Sequence, residues 1–292
     1  MNIFLVILFS ILFFFLFSSV WGFYIAIKPP RFISNLTPKD LGLEYEAVSF
    51  TTTDDILIKG WFIPHQSKLG AEQVLRQNKD IKTIILLHGY PADKGNILPG
   101  FIHLVKTYNL FLFDFRYLGE SGGRYSTAGA KETEDLLAAL RFLRSRRVHE
   151  VGVWGFSMGG AVALMTAPQA PEIKAIVSES SYARLDLMGR ELYRVPFLRE
   201  PLGSLTRLWA WLFFGFDPKD VSPVKGAKNL QIPVLIIHSK TDELIPFSHA
   251  LLLQEALKDN PKAEFWFGEE LVHGQFGETY QKRIQEFFEK NL

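Results

Sequence analysis

The stretch Val151-Gly152-Val153-Trp154-Gly155-Phe156-Ser157-Met158-Gly159-Gly160 decides how this chain is read. An apolar run leads into a Gly-x-Ser-x-Gly pentad, and Ala161 to Ala167 continue in small residues that suit a helix, so Ser157 falls where a buried strand hands over to a helix. Such a turn forces the serine backbone into a strained conformation, and glycines at Gly155 and Gly159 let strand and helix approach each other. The hydroxyl then projects alone into a cleft, with the N-terminal N–H groups of the helix aimed where an oxyanion would form. The pentad also occurs as a glycine-rich turn with an idle serine, so its meaning rests on its surroundings.

Those surroundings alternate strands and helices. Upstream, Glu44 to Thr53 and Ile56 to Pro64 are expected as a hairpin turning at Asp54-Asp55. A polar segment from Gly70 to Asp80, irregular or helical, comes before Thr83 to Leu87, which reads as a central parallel strand ending in His88-Gly89-Tyr90-Pro91. Ile97 to Thr107 is expected as a helix, Leu110 to Phe115 as a strand, and Glu132 to Arg147 as a helix with Leu136, Leu137, Leu140 and Leu143 on one face. After the pentad follow strands at Ile173 to Ser178, Val234 to His238 and Ala263 to Phe267, with helices at Ala250 to Leu257 and Tyr280 to Phe288. This alternation predicts an α/β fold: a mostly parallel sheet with helices on both faces. The connection from Glu179 to Pro233 is too long for an ordinary crossover and carries Leu185, Leu187, Trp209, Trp211, Phe213, Phe214 and Phe216. A small helical lid over residues 179–222 is expected there, its aromatics serving as extra core, as an acyl pocket or as a bilayer contact.

With 292 residues the chain has room for one large domain and a short extra segment. A formal net charge of +1 gives no global field to recruit nucleic acid. The absence of cysteine removes disulfides and thiolate chemistry. Ile3 to Ile27 contains no charged side chain and exceeds the roughly 20 residues that span a hydrocarbon core. Trp21 and Tyr24 lie towards its end, where Lys28, Pro29, Pro30 and Arg31 stop the run. A cleaved secretory signal would have a basic start, a shorter apolar core and an Ala-x-Ala site, and none of these is present. Residues 1–31 are therefore read as a single-pass transmembrane anchor and its flank, and 32–292 as the catalytic domain. Lys28, Arg31 and Lys39 all follow the span, which favours a cytoplasmic domain.

A serine hydroxyl needs a base, and the base an orienting carboxylate. Asp242 stands just beyond the Val234 to His238 strand, and His273 follows the Ala263 to Phe267 strand in Leu271-Val272-His273-Gly274, giving the order Ser, Asp, His. On these motifs the chain resembles the α/β-hydrolase superfamily, and within it the single-span membrane-anchored proteins of the serine aminopeptidase-like group. The resemblance covers Glu44 to the C-terminus. It implies Ser157 as nucleophile, His273 as general base and then acid, and Asp242 as the orienting acid, with an oxyanion hole from the backbone N–H groups of Met158 and Tyr90. Two positions depart from the family pattern. In Asp114-Phe115-Arg116-Tyr117-Leu118-Gly119-Glu120-Ser121, Tyr117 stands where a glycine is usual, and His238-Ser239 replaces a common His-Gly pair.

The other candidates have plainer readings. His88 and His238 end strands and are expected buried and hydrogen-bonded. His65, His103, His149 and His249 are expected on the surface or on helices, and Arg141 to Arg147 on a solvated helix face that could also meet anionic lipid. Glu243 is a second choice for the acid. No metal-ligand spacing or nucleotide loop is present, so neither metal nor cofactor is expected. The expected activity is hydrolysis of a carboxylic ester or thioester with an apolar, lipid-like acyl group. A peptidase would need an acidic site for a free amine, for which Glu179 and Asp186 are candidates. The fold also hosts noncatalytic binding or scaffold proteins.

Overall fold

The structure, a computed structural model, describes residues 3–66, 81–191, 193, 195–269, 274 and 277–292. The expected polar segment at Gly70 to Asp80 lies outside the described residues. Among the described residues eight strands form one sheet in the order β1-β2-β4-β3-β5-β6-β7-β8. They are β1 Glu46–Thr51, β2 Leu57–Ile63, β3 Thr83–Leu87, β4 Asn109–Phe113, β5 Val151–Phe156, β6 Ile173–Glu179, β7 Val234–Ser239 and β8 Ala263–Gly268. β1 and β2 pair antiparallel, as the hairpin turn at Asp54-Asp55 requires, and β2 joins β4 antiparallel. All further pairings are parallel.

The central strands β3 and β4 are apolar without alternation because helices cover both faces. Every residue of β3 and β4 is buried. One core packs Ile85, Leu87, Phe111, Phe113, Val153 and Ile176 under the helix α3 (Glu132–Ser145) and α4 (Met158–Thr166). The other packs Ile84, Leu86, Leu112 and Trp154 under Phe101 and the C-terminal helix α9 (Glu278–Asn291). Burying each such side chain contributes about 1.5–3 kcal/mol, so the two covered faces dominate the stability of the fold.

The expected helix at Ile97 to Thr107 takes a tighter form. A short α-turn, α2 (Lys94–Ile97), runs into a 3₁₀ segment at Leu98–Lys106. Pro99 lacks an N–H and Gly100 has the weakest helix preference of the non-proline residues, so the α ladder is not sustained.

Between β6 and β7 the chain forms α5 (Leu185–Glu191) and α6 (Pro196–Phe214), whose residues line the cavity beside Ser157, and α7 (Pro223–Ala227), which packs against α4 so closely that a Cβ on Gly226 would clash with the Leu164 carbonyl oxygen. Glu179 itself is the last residue of β6, so the helical insertion starts after it. Helix α8 (Ser248–Ala256) then leads towards β8.

At the N-terminus, α1 (Ile3–Ile27) is a single 25-residue helix, the one described helix long and apolar enough to cross a membrane. Residues Ile3 to Phe14 are all exposed, whereas Ser19 and Phe23 are buried against the rest of the chain.

Candidate active site

The chain leaves β3 for β4 on one side and then returns to place β5 on the other, so the carboxyl ends of β3 and β5 flank a crevice. In open α/β sheets such a reversal is where ligands bind. Ser157 stands at the end of β5 with φ 52° and ψ −114°, a conformation that L-residues rarely adopt, and immediately starts α4. Its backbone N–H donates to the Glu179 carbonyl at 2.8 Å, and its own carbonyl accepts from Ala161 at 3.1 Å. The flanking glycines are sterically required. A Cβ on Gly155 would lie 2.5 Å from the Gly159 carbonyl oxygen, and one on Gly159 would lie 2.8 Å from the His88 carbonyl oxygen. Backbone atoms of the elbow cannot yield as a side-chain tip can, so the Gly-x-Ser-x-Gly spacing follows from packing.

The loop after β3 comes against the serine: a Cβ on Gly89 would lie 3.3 Å from the Ser157 Cβ. His88 holds this loop. Its Nε2 accepts from the Phe115 N–H at 3.0 Å, so the ring proton sits on Nδ1 and donates to the Gly89 carbonyl at 2.7 Å. Complete burial lowers its pKa and keeps the imidazole neutral in this role. Tyr90, the next residue, lines the cavity beside Ser157 and Met158.

The Asp242 side chain is fully buried. Its Oδ1 accepts from the backbone N–H groups of Leu244 and Ile245, each at 2.9 Å, which orients the carboxylate. His238 braces the same loop by donating from Nε2 to the Ile245 carbonyl at 2.8 Å, while Asp242 Oδ2 lies 3.8 Å from that nitrogen. Ser239, where a glycine is common, accepts from the Thr241 N–H through its hydroxyl at 3.2 Å and so tightens the turn. Glu243 is exposed. His273 lies outside the described residues. Gly274, the residue after it in the chain, is placed with a would-be Cβ 3.5 Å from the ring of Phe156, the neighbour of Ser157.

Beneath the site runs a polar chain that sequence reasoning missed. Trp154 Nε1 donates to the Tyr280 hydroxyl at 2.7 Å, and that hydroxyl donates to Glu179 Oε2. Burial pushes the Glu179 carboxyl up to about 8, helped by the negative charge of Asp242 and opposed by the Tyr280 hydrogen bond. The carboxyl is therefore protonated at neutral pH. The three residues are far apart in sequence, and only Glu179, at a strand end, carried any signal.

Ser157 opens into a cavity of about 300 Å³, within the range typical of small-molecule sites. Leu185, Met188, Phe214, Phe216 and Ile245 form much of its apolar wall. Among the described residues its two charged lining side chains are paired: Asp186 with Arg184 at 2.6 Å, and Arg207 with Asp217 at 2.5 Å. Neither of the acids considered for a free amine is available. Glu179 is bonded to Tyr280 and does not line the cavity, and Asp186 is held by arginine.

The remaining expectations divide. His88 and His238 are buried and hydrogen-bonded, as expected. His249, expected as a surface or helix residue, is helical but buried, and its Nδ1 accepts from the Ala183 N–H at 2.9 Å, fixing the start of the insertion. Burial and the nearby His238 lower its pKa to about 4, which keeps that acceptor nitrogen unprotonated. Tyr117 adopts φ 67°, the left-handed conformation a glycine takes without strain. Its hydroxyl donates to the Pro29 carbonyl at 3.0 Å and its ring lies 4.9 Å from the Arg31 guanidinium, so the substitution ties this loop to the N-terminal segment. Among the described residues no cluster could hold a metal ion.

Comparison with known proteins agrees with this architecture. Residues 82–200 match the family model described as alpha/beta hydrolase fold. The protein YqkD of Bacillus subtilis is 31% identical over 221 residues, 71% of this chain and 71% of that protein. Among solved structures, the Pyrococcus furiosus esterase Pf2001 superposes with a TM-score of 0.72 at 30% identity, covering 91% of this chain and 99% of that one. The acylaminoacyl peptidase of Pyrococcus horikoshii shares the fold at 22% identity and TM-score 0.63, over 86% of this chain and 42% of that one. With the elbow, the sheet order and these likenesses together, the chain belongs to the α/β-hydrolase fold family.

Proposed function

We propose that this protein is a membrane-anchored serine hydrolase that cleaves carboxylic esters or thioesters of apolar acyl groups through an acyl-enzyme. The observation that carries the reading is the strained Ser157, at φ 52°, opening into an apolar cavity whose charges are internally paired. Ser157 Oγ attacks the acyl carbonyl while His273 takes its proton. The tetrahedral oxyanion accepts hydrogen bonds from the N–H groups of Met158 and Tyr90, and His273 then returns the proton to the leaving alcohol or thiol. Water, activated by the same histidine, releases the acid. Asp242, held by the Leu244 and Ile245 amides, orients the imidazole and stabilises its charged form. Helices α5 and α6 act as the lid, and α1 as the anchor, with Lys28, Arg31 and Lys39 favouring a cytoplasmic catalytic domain.

The paired state of Asp186 and the burial of Glu179 favour an ester over a peptide with a free amine. The first experiment is labelling of the purified full chain by a fluorophosphonate, with Ser157→Ala as control. Labelling in the wild type alone upholds an activated serine, and turnover of acyl esters against aminoacyl amides then separates esterase from peptidase. A folded wild type that takes no label leaves the scaffold reading.

A further inference from the structure

The end of α1 is built into the catalytic domain. The last carbonyls of a helix have no intrahelical donors and need partners from elsewhere. Here the Ala26 carbonyl accepts from the Tyr90 hydroxyl at 2.6 Å and the Ile27 carbonyl accepts from the Ser126 N–H at 2.9 Å. Higher up, Trp209 Nε1 of α6 donates to the Ser19 hydroxyl at 2.9 Å, and Phe23 packs against Phe213 and Phe214 with ring centroids at 5.7 and 5.8 Å. Just beyond the helix, Arg31 donates to the carbonyls of Ser121 and Gly123. A flexible tether would need none of these contacts.

The docking brings the N-terminal helix into the wall of the cavity beside Ser157. Phe23, Ala26 and Ile27 of α1 line the cavity that holds Ser157. A second groove of about 380 Å³ runs along α1 past Phe17, Val20 and Tyr24 to Phe213 of α6, and it shares Phe23 and Ile27 with the catalytic cavity. Among the described residues no charged side chain lines it. The depth also fits. From Ile3 to Ser18 the helix rises about 24 Å, less than the roughly 30 Å of a hydrocarbon core, so the docked turns must complete the span. Those turns lie beside the exposed Trp211, Leu212 and Phe213 of α6, a charge-free stretch that can share the same depth.

Resting on the acyl-ester reading above, we infer that the groove between α1 and α6 is an acyl-chain site continuous with the catalytic cavity. A long-chain ester still held in the bilayer presents its carbonyl to Ser157 while its acyl tail runs past Phe23 and along α1. The N-terminal helix is then one wall of the substrate site, and Phe23 sits at the junction between the two compartments.

The test uses the full chain in phosphatidylcholine vesicles with alkyl fluorophosphonates of butyl and hexadecyl length, the latter carrying a terminal diazirine. Attack by Ser157 Oγ forms the phosphorus–oxygen bond and expels fluoride; photolysis then marks what the tail touches. Cross-links between Phe17 and Ile27 and at Phe213 are expected. Val20→Trp, which fills the groove, should lower the hexadecyl-to-butyl labelling ratio at least fivefold, and Val20→Ala should leave it equal or higher. Cross-links confined to the α5 side of the cavity, or a ratio insensitive to Val20→Trp in a protein of unchanged thermal stability, overturn the inference. If Ser157 takes neither probe, the hydrolase reading falls, and diazirine-bearing hexadecanoic acid decides the groove by itself. Cross-links at Phe17 to Ile27 that Val20→Trp abolishes uphold an acyl site, and their absence in the wild type refutes it.

Discussion

Replacing Ser157 with glycine should make the protein more stable than replacing it with alanine, although both changes remove the hydroxyl. At φ 52° and ψ −114° the Cβ of residue 157 is held in a conformation that costs about 1–3 kcal/mol for an L-residue. Alanine keeps that cost and glycine removes it. Glycine in turn loses about 0.5–1 kcal/mol through the greater freedom of the unfolded chain. The serine side chain makes no capping hydrogen bond to α4, so neither variant forfeits one. The backbone bonds to Glu179 and from Ala161 persist in both. The two ranges leave a net gain for Ser157→Gly of up to about 2.5 kcal/mol and centrally about 1 kcal/mol, a rise of roughly 2 °C in midpoint for a chain of this size. Thermal unfolding of the two purified variants in the same detergent, neither labelled by fluorophosphonate, measures it. A glycine variant that melts at or below the alanine variant would refute the claim that the elbow stores strain.

Two further outcomes follow from the carboxylates. The Glu179 carboxyl titrates near 8 in the folded chain against about 4.3 when unfolded, so its folded pKa is raised. The stability it confers is complete below about pH 4 and is lost as pH rises towards 8, at up to about 1.4 kcal/mol per pH unit, because the unfolded state sheds the proton that the folded state retains. Glu179→Gln, which can still accept from Tyr280, should therefore stabilise the protein more at pH 8 than at pH 5; a melting difference independent of pH refutes this. Asp242→Asn should retain the Leu244 and Ile245 hydrogen bonds and the fold, but lower kcat about 10³- to 10⁴-fold through loss of the orienting charge. Ester turnover within a few-fold of wild type would remove Asp242 from the mechanism.

Much of this protein is encoded by near neighbours in the chain. The Gly-x-Ser-x-Gly pentad, the apolar runs of β3 and β4 and the charge-free stretch of α1 each express a local rule: a turn that needs missing Cβ atoms, a strand covered on both faces, a helix long enough for a bilayer. Where a local signal was mixed, as at Pro99-Gly100, the expected α-helix became 3₁₀. The positions of Asp242 beyond β7 and of His88 and His238 at strand ends were also readable, because strand ends converge at one edge of a parallel sheet.

Tertiary structure alone decided which of these groups meet. Glu179, Tyr280 and Trp154 form one buried chain because β6, α9 and β5 pack together, and burial, a property of the whole packed fold, keeps the Glu179 proton in place. His249 lies buried beneath the insertion for the same reason. The aromatics of residues 209–216 were ambiguous in sequence because hydrophobicity does not state what it will touch. Packing divides them between a bond to α1, the cavity wall and an exposed face. That α1 is docked to Tyr90 and α6 depends on hydrogen bonds between residues 64 and 190 positions apart, which no local pattern records. The sequence by itself determined the elbow, the sheet and the apolar N-terminal helix, since those follow from backbone preference and periodicity. The union of that helix with the cavity beside Ser157 follows from contacts between surfaces that exist only once the chain has folded.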